Sequence, residues 1–191
     1  MDNLDILAKL ETRNSKLETS DLEKILLKNR GLTKKQDIEE FLNPDISKIT
    51  IKSLGINQKA VDKTLKRIKK SINEKEQIII YGDYDVDGIT ASAILWETLR
   101  DVGANVMPYI PHRVTHGYGL SQIGLEDMLS QFPGAKVVIT VDNGIVADKG
   151  VNFANKKGLD IIITDHHLPS SKLPKACIGR RIIFSNIYCE S

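Results

Sequence analysis

Cysteine is nearly absent from this sequence. Cys177 and Cys189 are the only two in 191 residues. Neither stands in a CxxC or CxxH spacing, so neither a thiolate zinc site nor a disulfide framework is indicated. No apolar run approaches the ~18 residues that a membrane span requires. The opening stretch, MDNLDILAKLETRNSKLE, lacks the basic start and apolar centre of a secretory leader, so a cytoplasmic protein with no membrane partner is expected. An excess of charge of one sign is missing too: Lys and Arg number 27, Asp and Glu 25, and the net charge is +2. Near-neutrality neither demands nor excludes a nucleic-acid partner, so local charge has to carry that question. There is no internal repeat and no low-complexity segment. At 41% hydrophobic, the chain can bury a core and does not read as disordered.

What is present changes character along the chain. Residues 1–75 read as a charged helical lead-in. In SDLEKILLKNRG, Ser20 stands as an N-cap with Glu23 three positions on, and Gly31 follows the end. TKKQDIEEFLNP repeats the pattern with Thr33 and Gln36 and stops before Pro44. In NQKAVDKTLKRIKKSI, Val61, Leu65, Ile68 and Ile72 form one helical stripe. The opposite face carries Lys59, Lys63, Lys66, Arg67, Lys69 and Lys70. That face could contact phosphates, although a solvated surface is the plainer reading.

From residue 77 the rhythm alternates, with NEKE as the joint. QIIIYG is a short continuous apolar run, as expected of a strand buried on both faces. The helix GITASAILWETLRDVG follows, with Ala91, Ile94, Leu95, Leu99 and Val102 as its stripe and Gly103 as its stop. Trp96 reads as core packing. NVMPYI reads as a strand, SQIGLEDMLSQF as a helix capped by Ser121, KVVITV as a strand, VADKGVNFANKKG as a helix closed by Gly158, and LDIIIT as a strand. This order predicts an α/β fold, a parallel doubly wound sheet preceded by the helical lead-in. The expected division is 1–75 for the lead-in, 76–170 for the α/β core and 171–191 for a tail of different character.

Each strand is followed by acidic residues. After IIIY come Asp83, Asp85 and Asp87; after VVITV come Asp142, Asn143 and Gly144; after DIIIT come Asp165, His166 and His167. Ligands of open parallel sheets bind beyond the carboxyl ends of the strands, so all three clusters are expected on one edge. Singly, each is an ordinary turn or helix cap. Together, five carboxylates and two imidazoles in one crevice would repel each other and lose solvation unless a divalent cation compensates. If the segment is extended, Asp83, Asp85 and Asp87 project to the same side. Oxygen ligands with one or two histidines suit manganese, magnesium or iron. Two ions bridged by a carboxylate, for which Asp142 is well placed, would activate a water and clamp a phosphate.

GDYDVDG, TVDNG and TDHHLP, in this order, resemble the first three motifs of the DHH phosphoesterase superfamily. LLKNRGLTKKQDIEEFLNP and PHRVTHGYGL add a likeness to its RecJ-like branch of single-strand-specific exonucleases, over roughly residues 20–175. The resemblance implies that Asp85, Asp87, Asp142 and His166 are metal ligands, with Asp83 beside them. It implies that His167 contacts the scissile phosphate or acts as an acid, and that Asp165 orients the histidines. Where many members carry a histidine four residues before the second aspartate, this chain has Tyr81, and Asp83 is taken as its replacement. The implied reaction is hydrolysis of a phosphodiester in single-stranded DNA from the 5′ end, in repair or recombination, with one or two manganese or magnesium ions. The family's fourth-motif aspartate and its DHH-associated domain, which would follow well beyond the DHH motif, are expected to be missing. The tail CIGRRIIFSNIYCES leaves the pattern after LPKA, so a truncated or frame-shifted relative is expected, in which another chain would supply the missing half.

PHRVTHGYGL also places His112, Arg113, His116 and Tyr118 on a glycine-rich loop at the active edge. Arg113 could clamp a phosphate and Tyr118 could stack on a base, with His116 beside them. An ordinary surface loop is the competing reading. Two further functions remain open: a phosphodiesterase for short RNA or cyclic dinucleotides, and a non-catalytic remnant that binds nucleic acid or a partner.

Overall fold

A computed structural model describes residues 19–54, 56–168 and 181–185. The chain divides into two compact units, one ending at Ile49 and the other beginning at Thr50. In the first, helix α1 spans Thr19–Asn29, helix α2 spans Lys35–Leu42, and a single 3-10 turn covers Ile46–Lys48. The glycine stop is present: Gly31 has φ +77°, and the N–H groups of Gly31 and Leu32 donate to the carbonyls of Lys28 and Leu27. The capping box expected at Thr33 does not form. Lys34 occupies the cap position and offers no side-chain acceptor. Gln36 instead donates to Glu40 one turn on.

The second unit opens with helix α3, Gln58–Asn73, whose first N–H groups are capped by the Asn57 side chain. Five parallel strands follow in the spatial order β2-β1-β3-β4-β5: β1 is Gln77–Tyr81, β2 Val106–Tyr109, β3 Ala135–Val141, β4 Asp160–Asp165 and β5 Arg181–Ser185. Helix α4 is Val86–Asp101, α5 is the short turn Arg113–His116, α6 is Gln122–Gln131 and α7 is Asp148–Lys156. Alternate β1 residues serve opposite faces. Ile79 and Tyr81 join Leu125, Met128, Val151 and Ala154 of α6 and α7; Ile78 and Ile80 join Leu99, with Ile68 of α3 and Trp96 of α4 packed alongside. Burial on both faces is why these strands read as unbroken apolar runs.

The sheet is the parallel doubly wound one expected. The chain leaves β1 toward β2, then returns past β1 to β3 and continues the other way. Strand order therefore reverses between β1 and β3, the point where such sheets open a crevice.

Five expectations change. Helix α3 belongs to the sheet's unit, although the sequence changes rhythm only near residue 75. Its buried positions are Thr64 and Ser71, while Leu65 is 49% exposed. Arg67 leaves the basic face and turns inward, 2.6 Å from both Glu76 and Asp160. On α4 the expected Ala91, Leu95 and Leu99 do pack on the core, joined by buried Gly88 and Ser92, whereas Ile94 and Val102 face solvent. An amphipathic stripe fixes a helix's period but not its rotation to within one residue. Here the cation pair and the close approach of Gly88 decide it. Finally, the tail is not merely a departure: Arg181–Ser185 add the fifth strand, pairing with Ile161–Asp165. Cys177, Cys189 and the Ser20 side chain lie outside the described residues.

Candidate metal centre

The crevice between β1 and β3 is built from three strand ends. After β1 the chain turns through Gly82 and Asp83 and enters α4 at Asp85. Asp83 is 3% exposed, and its Oδ1 accepts the N–H of Tyr84 at 2.7 Å. Asp85 caps α4, accepting the Gly88 N–H at 2.9 Å. The segment is thus not extended, and the alternation expected of Asp83, Asp85 and Asp87 does not hold. Asp87 lies exposed in the first turn of α4, with no side-chain hydrogen bond or ion pair to the other described site residues. Gly88 makes the tight entry possible: a Cβ there would lie 2.6 Å from the Asp83 carbonyl oxygen.

After β3, Asp142 adopts φ +60°, a left-handed conformation that Asp and Asn tolerate better than other side chains. Its neighbour Asn143 is buried and donates to the carbonyls of Tyr81 at 3.2 Å and Val141 at 2.9 Å, stitching the ends of β1 and β3 together. Thr140 Oγ1 donates back to the Asn143 carbonyl at 2.7 Å. After β4, buried Asp165 holds the loop of its neighbour strand. Its Oδ2 accepts the Ile145 N–H at 2.9 Å, and its Oδ1 accepts the His167 N–H at 3.0 Å. The same oxygen lies 2.7 Å from His167 Nδ1. Sequence reasoning assigned Asn143 no role, yet the dipeptide Asp-Asn before Gly144 is itself a signal for a left-handed turn.

Groups from two of the three strand ends come together. His166 Nε2 lies 2.9 Å from Asp142 Oδ1, and ligand atoms of Asp142, His166 and His167 all fall within 4.8 Å of one another. Asp142 Oδ1 is buried and has no well-formed hydrogen bond among the described residues, and His166, 2.9 Å away, pulls its carboxyl down. A buried carboxylate oxygen with an imidazole nitrogen close by is a donor set that fits a hard or borderline divalent metal.

Electrostatics agree. Burial pushes the Asp142 carboxyl above its ordinary value and the charge of Asp85 adds to this, while His166 and His167 pull it back. Asp83 is likewise raised, first by burial and then by Asp85, against Arg113, His167 and Tyr118. The hydrogen bond to Asp165 raises His167, outweighing burial, with the charges of Asp165, Asp142 and Asp83 adding. Carboxylates held above their ordinary range in one crevice are what a bound cation relieves.

The glycine-rich loop contributes unevenly. Tyr118 faces the cluster: burial raises its hydroxyl, and so do the charges of Asp83, Asp142, Asp165 and Asp85. Arg113 lies 4.4 Å over the ring of Tyr84, a partner the sequence did not suggest, and its charge reaches Asp83. His116 is not brought to the cluster. Its Nδ1 accepts the His112 N–H at 3.1 Å, and its Nε2 lies 4.0 Å from Asp127. Tyr81 is wholly buried, its hydroxyl 3.4 Å from the Gly119 carbonyl, and burial pushes its pKa up to about 12.

A sequence model of the DHH family, N-terminal domain, matches residues 77–191. The chain belongs to the DHH family. The match to the DHH domain runs through the tail that was expected to leave the pattern. The single-stranded-DNA-specific exonuclease RecJ of Bacillus subtilis strain 168 is 34% identical over 166 residues, which is 87% of this chain and 20% of that protein. The protein of the same name in Escherichia coli K12 is 32% identical over 167 residues, covering 87% and 27%. This DHH chain therefore spans about a fifth to a quarter of the length of these relatives. The crystal structure of an exonuclease RecJ bound to manganese superposes with a TM-score of 0.54 and 31% identity, over 65% of this chain and 30% of that one. The RecJ of Thermus thermophilus in complex with Mn2+ gives 0.54 and 26%, over 82% and 20%.

Proposed function

We propose that this chain carries the metal-binding part of a single-strand-specific DNA exonuclease that hydrolyses phosphodiester bonds from the 5′ end. The observation that carries the proposal is the convergence of Asp142, His166 and His167 within 4.8 Å around a buried, unsatisfied carboxylate oxygen. The relatives' names and the manganese in two of their structures support it.

Asp142 and His166 hold the ion, with Asp83 and Asp85 at the neighbouring strand end and Asp87 on the rim. Manganese or magnesium, once bound, supplies a hydroxide nucleophile at neutral pH and charge for the phosphoryl oxygens. The chain's own residues do the rest. Asp165 fixes the His167 ring by taking Nδ1, which leaves Nε2 for a substrate oxygen. That pairing raises His167 and so favours a proton on its ring, which we assign to the leaving oxygen. Arg113, steadied on Tyr84, contacts a phosphate, and Tyr118 offers a face to a base. We place the protein in the cytoplasm, in DNA repair or recombination.

Calorimetric titration with manganese should show binding to the parent chain that Asp142→Ala abolishes. In manganese, the parent should shorten long single-stranded DNA faster than it cleaves a dinucleotide. No heat in the parent would end the enzyme reading. A preference for the dinucleotide would move the substrate to short nucleotides.

A further inference from the structure

Helix α3 carries a second cationic feature away from the crevice. With Arg67 turned inward to Glu76 and Asp160, the exposed cations of this helix are Lys59, Lys63, Lys66, Lys69 and Lys70. Four of them, Lys59, Lys63, Lys66 and Lys70, follow each other at intervals of three or four, one continuous stripe on the solvent side. Only Lys70 has an ion-pair partner among the described residues, Glu74 at 3.7 Å. The one acidic side chain within the stripe, Asp62, is already held by the Gln58 amide at 2.9 Å.

Such an arrangement works against the helix that bears it. Like charges at i, i+4 are mutually destabilising, and Lys59 lies in the first turn, where the helix dipole disfavours a cation. A plain solvated surface would be expected to mix its signs. Leu65 is half exposed in a shallow depression of about 550 Å³ lined by Lys66, Lys69, Lys70 and Asn73, with Asp62 and Glu74 at its sides. The direction of the stripe follows from its anchor. Arg67 binds residues at the starts of β1 and β4, so the last turns of α3 lie at the amino edge of the sheet. From that anchor the helix extends about 12 Å back to Lys59 at 1.5 Å per residue.

We propose that the lysine stripe of α3 is a backbone track for single-stranded nucleic acid, leading along one face of the sheet toward the metal crevice. The Cβ atoms of neighbouring stripe lysines lie roughly 5–6 Å apart, and their long stems let the ammonium groups adjust to successive phosphates of an extended strand. Leu65 gives one base an apolar rest. The track rests on the substrate class proposed above, but it makes a separate claim, that binding and cutting use different surfaces.

The test is the salt dependence of binding. Fluorescence anisotropy of labelled dT20 with the full chain, in chelator so that nothing is cut, should give a linear fall of log affinity with log salt. The triple variant Lys59→Gln, Lys63→Gln, Lys66→Gln should lower the slope by about 2, since each single-strand phosphate contact contributes roughly 0.7. Manganese binding by calorimetry should stay at the parent value. The arginine counterpart of the triple variant should keep the parent slope. An unchanged slope, or no dT20 binding by the parent, would overturn the track. Protection of the same lysines from reductive methylation by dT20 provides a second reading that needs no variant. A lowered slope in a chain that never cuts DNA would uphold the track and defeat the exonuclease reading; cutting with an unchanged slope would do the reverse.

Discussion

Asp142 combines a left-handed backbone, a buried charge and an unsatisfied oxygen in one residue. Two substitutions separate these features. Asp142→Asn keeps a side chain that tolerates positive φ and removes the charge, so it should abolish manganese binding and leave the metal-free melting temperature equal or higher. Asp142→Ala should abolish binding and also cost about 1–2 kcal/mol, because alanine gains nothing in the left-handed region. Thermal melts in chelator with parallel calorimetry distinguish the two, and a marked drop for the Asn variant would contradict the charge-repulsion account. Asp165 differs, since its oxygens satisfy the Ile145 and His167 N–H groups. Asp165→Ala should destabilise by about 1–3 kcal/mol through the orphaned buried donor. It should also lower the His167 pKa, because its largest raising interaction disappears. Imidazole NMR titration reads that directly.

Helices α3 and α4 both pack on the core, and one further contact fixes the placement of each. For α4 it is Gly88, where any Cβ would strike the backbone of Asp83. Gly88→Val should displace the helix start, weaken the Asp85 cap and reduce manganese affinity at least tenfold, although residue 88 itself is no ligand. Unchanged calorimetry would show that the loop can yield. For α3 it is Arg67. Burial favours a neutral Glu76, but the hydrogen bonds from Arg67 and Ser71 and the charge of Arg67 outweigh it and hold Glu76 below its ordinary value. A depressed carboxylate contributes stability that is present above its unfolded pKa and is lost as pH falls through the folded one. Arg67→Met should therefore cost about 1–3 kcal/mol at neutral pH, intermediate between exposed and fully buried pairs. Its stability should also fall less between about pH 5 and 3 than the parent's does. Parallel acid limbs for the two proteins would refute the pairing.

At the scale of the molecule, the crevice is a cost that the fold bears until a cation arrives. Manganese at about 100 times its dissociation constant should add roughly 2.7 kcal/mol. That corresponds to a rise in melting temperature of about 5–10 °C for a domain of this size. Chelator should reverse the rise, and the Asp142→Asn variant should show none of it. A shift of equal size in that variant would mean that manganese binds elsewhere.

The alternation of unbroken apolar runs with amphipathic segments determined a parallel α/β sheet, and the acidic endings of three runs determined which edge of that sheet is charged. Both are local or periodic properties, readable because each strand is buried on two faces and each helix on one. What only the tertiary structure decided is rotation, pairing and distance. Arg67 belongs inward because Glu76 and Asp160, far apart in sequence, meet beside it. Asp85 belongs to a helix cap rather than an extended strand because Gly88 packs on Asp83. His116 turns toward Tyr109 and Asp127, while His166, no different in kind, comes within 2.9 Å of Asp142. A side chain's chemistry is written at its own position, but the partner that gives it a role is brought there by chain reversals, and no short stretch of sequence encodes those.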